Sequence, residues 1–266
     1  MSSLVTDTRK RASRGRAHLI ALAGVGMALL VCMTGGRKTV GQLGADQSQA
    51  SQVVGELVAS ATIGQTFVAE YPGLSRVEVK LATYARRNSG PLIFHLRTAP
   101  DATEDVVTLT LDAAEIEDNA YHSFDFPPIR DSAGHTFYFY LETPEAEPDN
   151  AITAWGTTED AYPDGKAVLR DVPGHGVHDL TFRLEYNPTW WQTIEIVLGL
   201  LADHKPSVWG NPWFYVLLGV SYLLLLYAFF VQVAQSAFSA GEDVAEAARP
   251  EVRPRSIRGF LGREKP

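Results

Sequence analysis

Two short stretches hold the residue types from which a site could be built. In "PGHGVHD" (173–179), His175, His178 and Asp179 offer two imidazoles and a carboxylate, donors that zinc accepts. No Cys or Glu stands at a spacing that would complete a four-ligand shell, so the expectation is no metal and a Gly-rich turn feeding a strand. In "TTEDAYPDGK" (157–166), Glu159, Asp160 and Asp164 surround Tyr162, and Trp155 stands just before. Carboxylates can hold calcium, and an aromatic face can carry a sugar ring, which makes Trp155, Asp160, Tyr162 and Asp164 a candidate ligand loop. "YPDG" also reads as a β-turn, with Pro second and Gly fourth, and with Tyr162 packed over it. The turn is the preferred reading, because it accounts for Pro, Asp and Gly without a ligand.

Other catalytic signatures are lacking. The chain contains no Gly-x-Ser-x-Gly, His-Glu-x-x-His, phosphate loop or dinucleotide fingerprint. Its 31 acidic residues include pairs by number alone, whereas glycoside hydrolysis needs two carboxylates placed across a cleft. The expectation is a non-enzymatic protein with no catalytic residue and no cofactor.

What positions these residues is set by two uncharged apolar runs. The first (17–36) lies between Arg16 and Arg37 and has the ~20 residues that a helix needs to span a bilayer. The second, "WFYVLLGVSYLLLLYAFFVQV", is richer in Leu and aromatic residues, and the span is drawn at 212–235. Residues 1–16 carry a net +4 and residues 236–266 a net +1, so the stretch between holds -13 of a total of -8. Basic residues flank both runs on their outer sides. The positive-inside rule therefore puts both termini in the cytoplasm and the acidic middle outside. A cleaved signal peptide is the rival for the first run; an uncleaved anchor is preferred because no Ala-x-Ala-like site follows the apolar core. Ala17, Ala21, Gly24 and Ala28 put small residues at three- and four-residue spacing, either a surface for close helix approach or simply a weakly hydrophobic anchor.

Cys32, the only cysteine, lies in the first run, so the outer domain has no disulfide to hold it. After a polar linker (37–53), strand signals recur across 54–187. "LSRVEVKLATYA" alternates, with Val77, Val79 and Leu81 against Arg76, Glu78 and Lys80 and one slip near Ser75, as a half-buried strand requires. About nine such runs separated by Gly, Pro, Asp and Asn turns predict an all-β ectodomain, an antiparallel β-sandwich or jelly roll. "LDAAEIEDN" (111–119) reads as a single helical turn.

The order "IGQTF…GLSRVEVKLATYARRNSGPLIFHLR…FYFYLE…YPDGKAVL…DLTFRLEY" resembles the extracytoplasmic β-sandwich module of bacterial membrane proteins associated with envelope polysaccharide synthesis, often attached to multi-pass glycosyltransferases. The resemblance covers residues 54–186. It implies a jelly-roll-like fold and, with no multi-pass part in this sequence, a transferase activity that only a partner could supply. On architecture alone the domain is also similar to galactose-binding-like jelly rolls.

"YNPTWWQTIEIVLGLLADHK" (186–205) closes the domain. Pro188 ends the last strand, Thr189 is a fair N-cap, and Trp190, Ile194, Val197 and Leu201 recur at helical spacing, joined by Trp191, Leu198 and Leu200. Gln192, Glu195, Gly199 and Asp203 form a narrow opposite stripe. A helix over 189–204 would reach only about 24 Å, short of the ~30 Å hydrocarbon core. The expectation is an interfacial amphipathic helix with Trp190, Trp191, Trp209 and Trp213 as membrane-interface anchors; the competing expectation is a face docked on a partner's membrane helices. The bilayer and a membrane-protein partner are thus the expected partners, with a glycan as candidate ligand. Nucleic acid is excluded, because phosphates would be repelled by the acidic middle.

Overall fold

In a computed structural model of the chain, the structure describes residues 2–41, 44–172 and 176–247. His175 and the basic residues Arg249, Arg253, Arg255, Arg258, Arg263 and Lys265 lie outside them. The described residues form two units.

The larger unit holds the strands. In chain order these are β1 (Asp46–Gln47), β2 (Gln52–Val53), β3 (Thr62–Val68), β4 (Leu74–Ala82), β5 (Pro91–Arg97), β6 (Val107–Asp112), β7 (Ala120–Ile129), β8 (Thr136–Glu142), β9 (Thr153–Thr157), β10 (Ala167–Arg170), β11 (Asp179–Leu180) and β12 (Phe182–Tyr186). All pair antiparallel, in two sheets. One has the order β1-β12-β4-β9-β11, with β7 also on β4 and β2 also on β9; the other has the order β10-β3-β8-β5-β6. The arrangement is sandwich-like.

Each of the nine predicted runs contains a strand. The alternation in β4 buries Leu74, Val77, Val79 and Leu81 and turns Arg76, Glu78 and Lys80 outward, and the slip near Ser75 is an irregularity in the β4–β7 register between Leu74 and Arg76. A 3₁₀ turn at Ala113–Glu115 fills the predicted helical turn, with the Asp112 side chain accepting from the N–H of Ala114. The stretch read as a linker is corrected from Asp46 on: β1 pairs with β12 and β2 with β9, because an edge strand needs only backbone partners and carries no apolar pattern of its own. The described residues are thus mixed in class rather than all-β, with long helices in addition to the sheets.

Inter-sheet packing is aromatic. Phe94 on β5 stacks on Phe124 of β7 with ring centroids 4.4 Å apart, and Phe139 and Phe67 sit 5.9 and 6.2 Å from Phe182 across the same core. Such pairs add about 1 kcal/mol to their area burial.

Among the described residues there are three α-helices: α1 (Ser2–Gly41), α2 (Trp190–Ala202) and α3 (Pro212–Ala247). Two are long and apolar enough to cross a membrane, through Gly15–Cys32 and Pro212–Ala240. In the smaller unit, which joins the first part of α1 to most of α3, Ala17 and Ala21 are fully covered. A Cβ on Gly24 would meet the Phe230 ring at 3.0 Å. His18 Nδ1 lies 2.6 Å from the Tyr227 hydroxyl. The small residues thus allow close approach of the chain's own second helix.

Candidate functional site

Asp179 decides what the predicted ligand loop is. Its carboxylate is fully buried and accepts from the Gln65 side chain at 2.9 Å, from the backbone N–H of Ala161 at 3.0 Å and from that of Tyr162 at 3.1 Å. His178 Nδ1 is 3.3 Å away. Gln65, also buried, accepts from the N–H of Leu180 through its own carbonyl. A buried carboxylate is stable only when its lone pairs are filled, and here they fasten residues 161–162 to β3 and β11. Asp160, His178 and Asp179 place one donor atom each within 4.8 Å of one another. Asp179 Oδ2 accepts from the loop's own N–H groups and Oδ1 from the Gln65 amide, so the cluster reads as a clasp.

Tyr162 points inward. Its ring meets Phe182 edge-on at 5.2 Å, and its hydroxyl donates to the Val68 carbonyl at 3.2 Å and accepts from the Val68 N–H. A ring so placed offers no face to a sugar. Asp160 and Asp164 are exposed on the loop, whereas Trp155 lies on the outer face of the larger sheet, donating to Asn119 at 2.8 Å with the Lys80 ammonium 5.2 Å from its ring. The four residues therefore do not converge on one surface.

Near the loop, burial and then the neighbouring Asp164 raise Glu70 above the ordinary carboxyl range. The folded state thus holds this proton more tightly than the unfolded chain, so stability is greatest below the ordinary carboxyl value and falls as pH rises through the raised one. Glu70→Gln is expected to melt higher than the wild type at neutral pH, by about 0.5 kcal/mol after solvent screening. The gap should close in melts below about pH 4; a gap that persists there would discard this assignment.

A second polar cluster covers the outer face of the smaller sheet. Tyr138, Tyr140 and His95 stack in a row, with His95 4.4 Å from Tyr140, and the Arg97 guanidinium lies 4.8 Å over Tyr140 and donates to its hydroxyl at 2.7 Å. Asp105 bridges Arg97 and His95. Burial pushes the Asp105 carboxyl up, but the hydrogen bonds from Arg97 and His95 outweigh it and hold the group below its usual range. Burial also pushes Tyr138 up to about 12. Each of these groups is stacked on or bonded to another of the row.

Helix α2 is the surface that is left uncovered. Thr189 caps it in a reciprocal box with Gln192, and Gln192 Nε2 also donates to the Arg130 carbonyl at 3.1 Å. Thr193 is buried, and Tyr71 of the sandwich faces Ile196, Gly199, Leu200 and Asp203. The helix thus turns a mixed face, Gln192, Thr193, Ile196, Gly199 and Asp203, to the sandwich, with Glu195 exposed. Trp190, Trp191, Val197 and Leu201 remain exposed, Trp191 to 61%. Beyond α2, a 3₁₀ turn at Ser207–Gly210 presents Trp209, and Trp213, 72% exposed, stands in the first turn of α3. Lys205 Nζ donates to the Tyr215 hydroxyl at 3.3 Å, Tyr215 donates to the Trp209 carbonyl at 2.9 Å, and Trp209 meets Phe214 edge-on. These contacts tie the start of α3 to the end of α2. The four tryptophans named from the sequence therefore stand on one short run of chain, all exposed.

Sequence reasoning missed Gln65, Tyr71, Thr193 and the His95–Asp105–Arg97 cluster. An unusual glutamine in an otherwise apolar strand was the available signal for the first; the others carry no mark in the sequence. The chain matches no protein-family model and no curated protein.

Proposed function

We propose that the protein is a non-enzymatic, membrane-anchored accessory or scaffold subunit that presents its β-sandwich to a membrane complex. The observation that carries this reading is the outward apolar stripe of α2. A domain of this size normally buries such a stripe, and an exposed contiguous apolar patch marks a membrane or protein contact. Two helices of spanning length support an anchor at both ends of the domain. The charge pattern supports cytoplasmic termini and an extracytoplasmic domain, the sequence resemblance puts them in a bacterial inner membrane, and α2 then lies in the interface with Trp190, Trp191, Trp209 and Trp213 at headgroup level. The sequence resemblance extends the reading to a jelly-roll-like module in envelope glycan assembly, with catalysis resident in the partner.

The test is co-purification from native membranes in mild detergent, followed by the same experiment on Val197→Ser/Leu201→Ser. A multi-pass partner that is held by the wild type and lost in the double variant is the expected result. A wild type that elutes as a lone monomer would reject the subunit reading. Periplasmic signal from a reporter fused after Pro266 would reject the topology.

A further inference from the structure

We infer that β6, at the open edge of the smaller sheet, takes an extended cationic segment of a partner protein as an added strand. Such a contact extends the subunit reading by naming the chemistry of a partner segment, and it is separate from the α2 face.

β6 pairs with β5 alone. Ala113 donates its N–H to the Gly90 carbonyl at 2.8 Å, and an antiparallel ladder bonds alternate residues. In that register Leu109 and Leu111 turn their backbone groups to β5, while the N–H and C=O groups of Thr108 and Thr110 point to the open edge. Sheet edges are normally guarded by shortness, proline or lysine. β1, β2 and β11 have two residues each, β10 has four, and β7 carries Pro127 and Pro128. β6 has six residues, and the run from Val106 to Leu111 contains neither proline nor charge. Val107, Leu109 and Leu111 are only half-buried where they meet the core, so a neighbouring strand would cover them further. An edge of this kind is a template for strand addition.

Charge selects the occupant. Residues 98–129 hold eight Asp or Glu and no Lys or Arg, so both ends of β6 are acidic. Among the described residues, Glu104 before the strand and Asp112, Glu115 and Glu117 after it are exposed and have no ion pair. A second copy is disfavoured, because antiparallel pairing of two β6 strands would bring Glu104 of one against Glu115 of the other. An extended segment with an apolar middle and Lys or Arg at each end satisfies both the backbone groups and the carboxylates.

The test follows the anisotropy of a fluorescein-labelled peptide that alternates Val and Thr between Lys-Arg ends, titrated with the full-length protein in detergent. Binding that weakens with added salt is expected, with none by a Glu-ended counterpart. Thr110→Pro removes an edge-facing N–H without touching the β5 ladder, and should weaken binding about tenfold. Glu104→Lys/Glu115→Lys leaves the backbone edge intact and should transfer the preference to the Glu-ended peptide, which decides the matter even where Thr110→Pro melts early. No binding by wild type, equal binding by Thr110→Pro, or no preference between the two peptides would overturn the site. A wild type that sediments as a dimer beside a monomeric Thr110→Pro would also overturn it, since the edge would then belong to a second copy. A lone monomer in the co-purification rejects the subunit reading, whereas the strand-addition site stands or falls on the peptide.

Discussion

Asp179→Ala is expected to lower stability by about 3–5 kcal/mol, the range for breaking a buried, hydrogen-bonded charged group. The substitution leaves the Gln65 amide and the N–H groups of Ala161 and Tyr162 without their acceptor, all at or near the interior. It also frees the loop whose Tyr162 closes the core against Phe182. Asp179→Asn should cost less, because its carbonyl still accepts while its amide turns a donor toward donors. Thermal melts of the detergent-solubilised protein, followed by near-ultraviolet dichroism, order the three as wild type, Asn, Ala. An Ala variant within 1 kcal/mol of wild type would mean that the carboxylate is not the clasp. Zinc or calcium that raises the wild-type melt but not that of Asp160→Asn would restore the metal reading for this cluster.

Phe94→Ala carries the second large effect. Phe94 is fully buried on β5 and stacks on Phe124 of the facing sheet and on Phe139 of β8, so its removal opens a cavity between the sheets rather than at a rim. A buried Phe→Ala change costs about 3–5 kcal/mol, with the spread set by how far the walls collapse. Collapse is limited here, because neighbours on both sheets are held in their hydrogen-bonded ladders. Phe94→Leu should recover most of the loss. Denaturant unfolding of the full chain tests this, with an unchanged m-value and a lowered midpoint as the signature of lost packing.

The sheets were legible in the sequence wherever one face is buried and the other wet. β4 shows this: its period of two survives in the burial of each residue, including the slip at Ser75. β8 shows the limit. "TFYFYLE" is covered on both faces, since Tyr138 and Tyr140 lie under the Arg97 and His95 row while Phe137, Phe139 and Leu141 face the core, and a doubly covered strand has no alternation to read. β1 and β2 escaped because strands of two residues are specified by their partners. The N-cap of α2 was legible at Thr189 because capping chemistry is local. The helix's orientation was not: periodicity finds an apolar stripe but does not say whether a domain covers it. The loop at 157–166 admits two readings in the sequence for a related reason. Carboxylates and an aromatic in a turn look the same from the sequence whether they face solvent or, as with Tyr162, are drawn inward by an aspartate seventeen residues further on.

The pairing of β1 with β12 has a mechanical side. The chain enters the sandwich at Asp46 and leaves it at Tyr186, and Asp46 lies directly across from Arg183, with an Arg183 to Asp46 ion pair at 3.0 Å. Because the strands are antiparallel, entry and exit share one end of the ladder. Tension drawn between the two tethers would therefore load these bonds in sequence, peeling β1 away as a zipper opens, rather than shearing several at once. With only two residues in β1, the first thing to yield under such a pull is the two-residue strand, while the phenylalanine core and the clasp at Asp179 stay out of the load path.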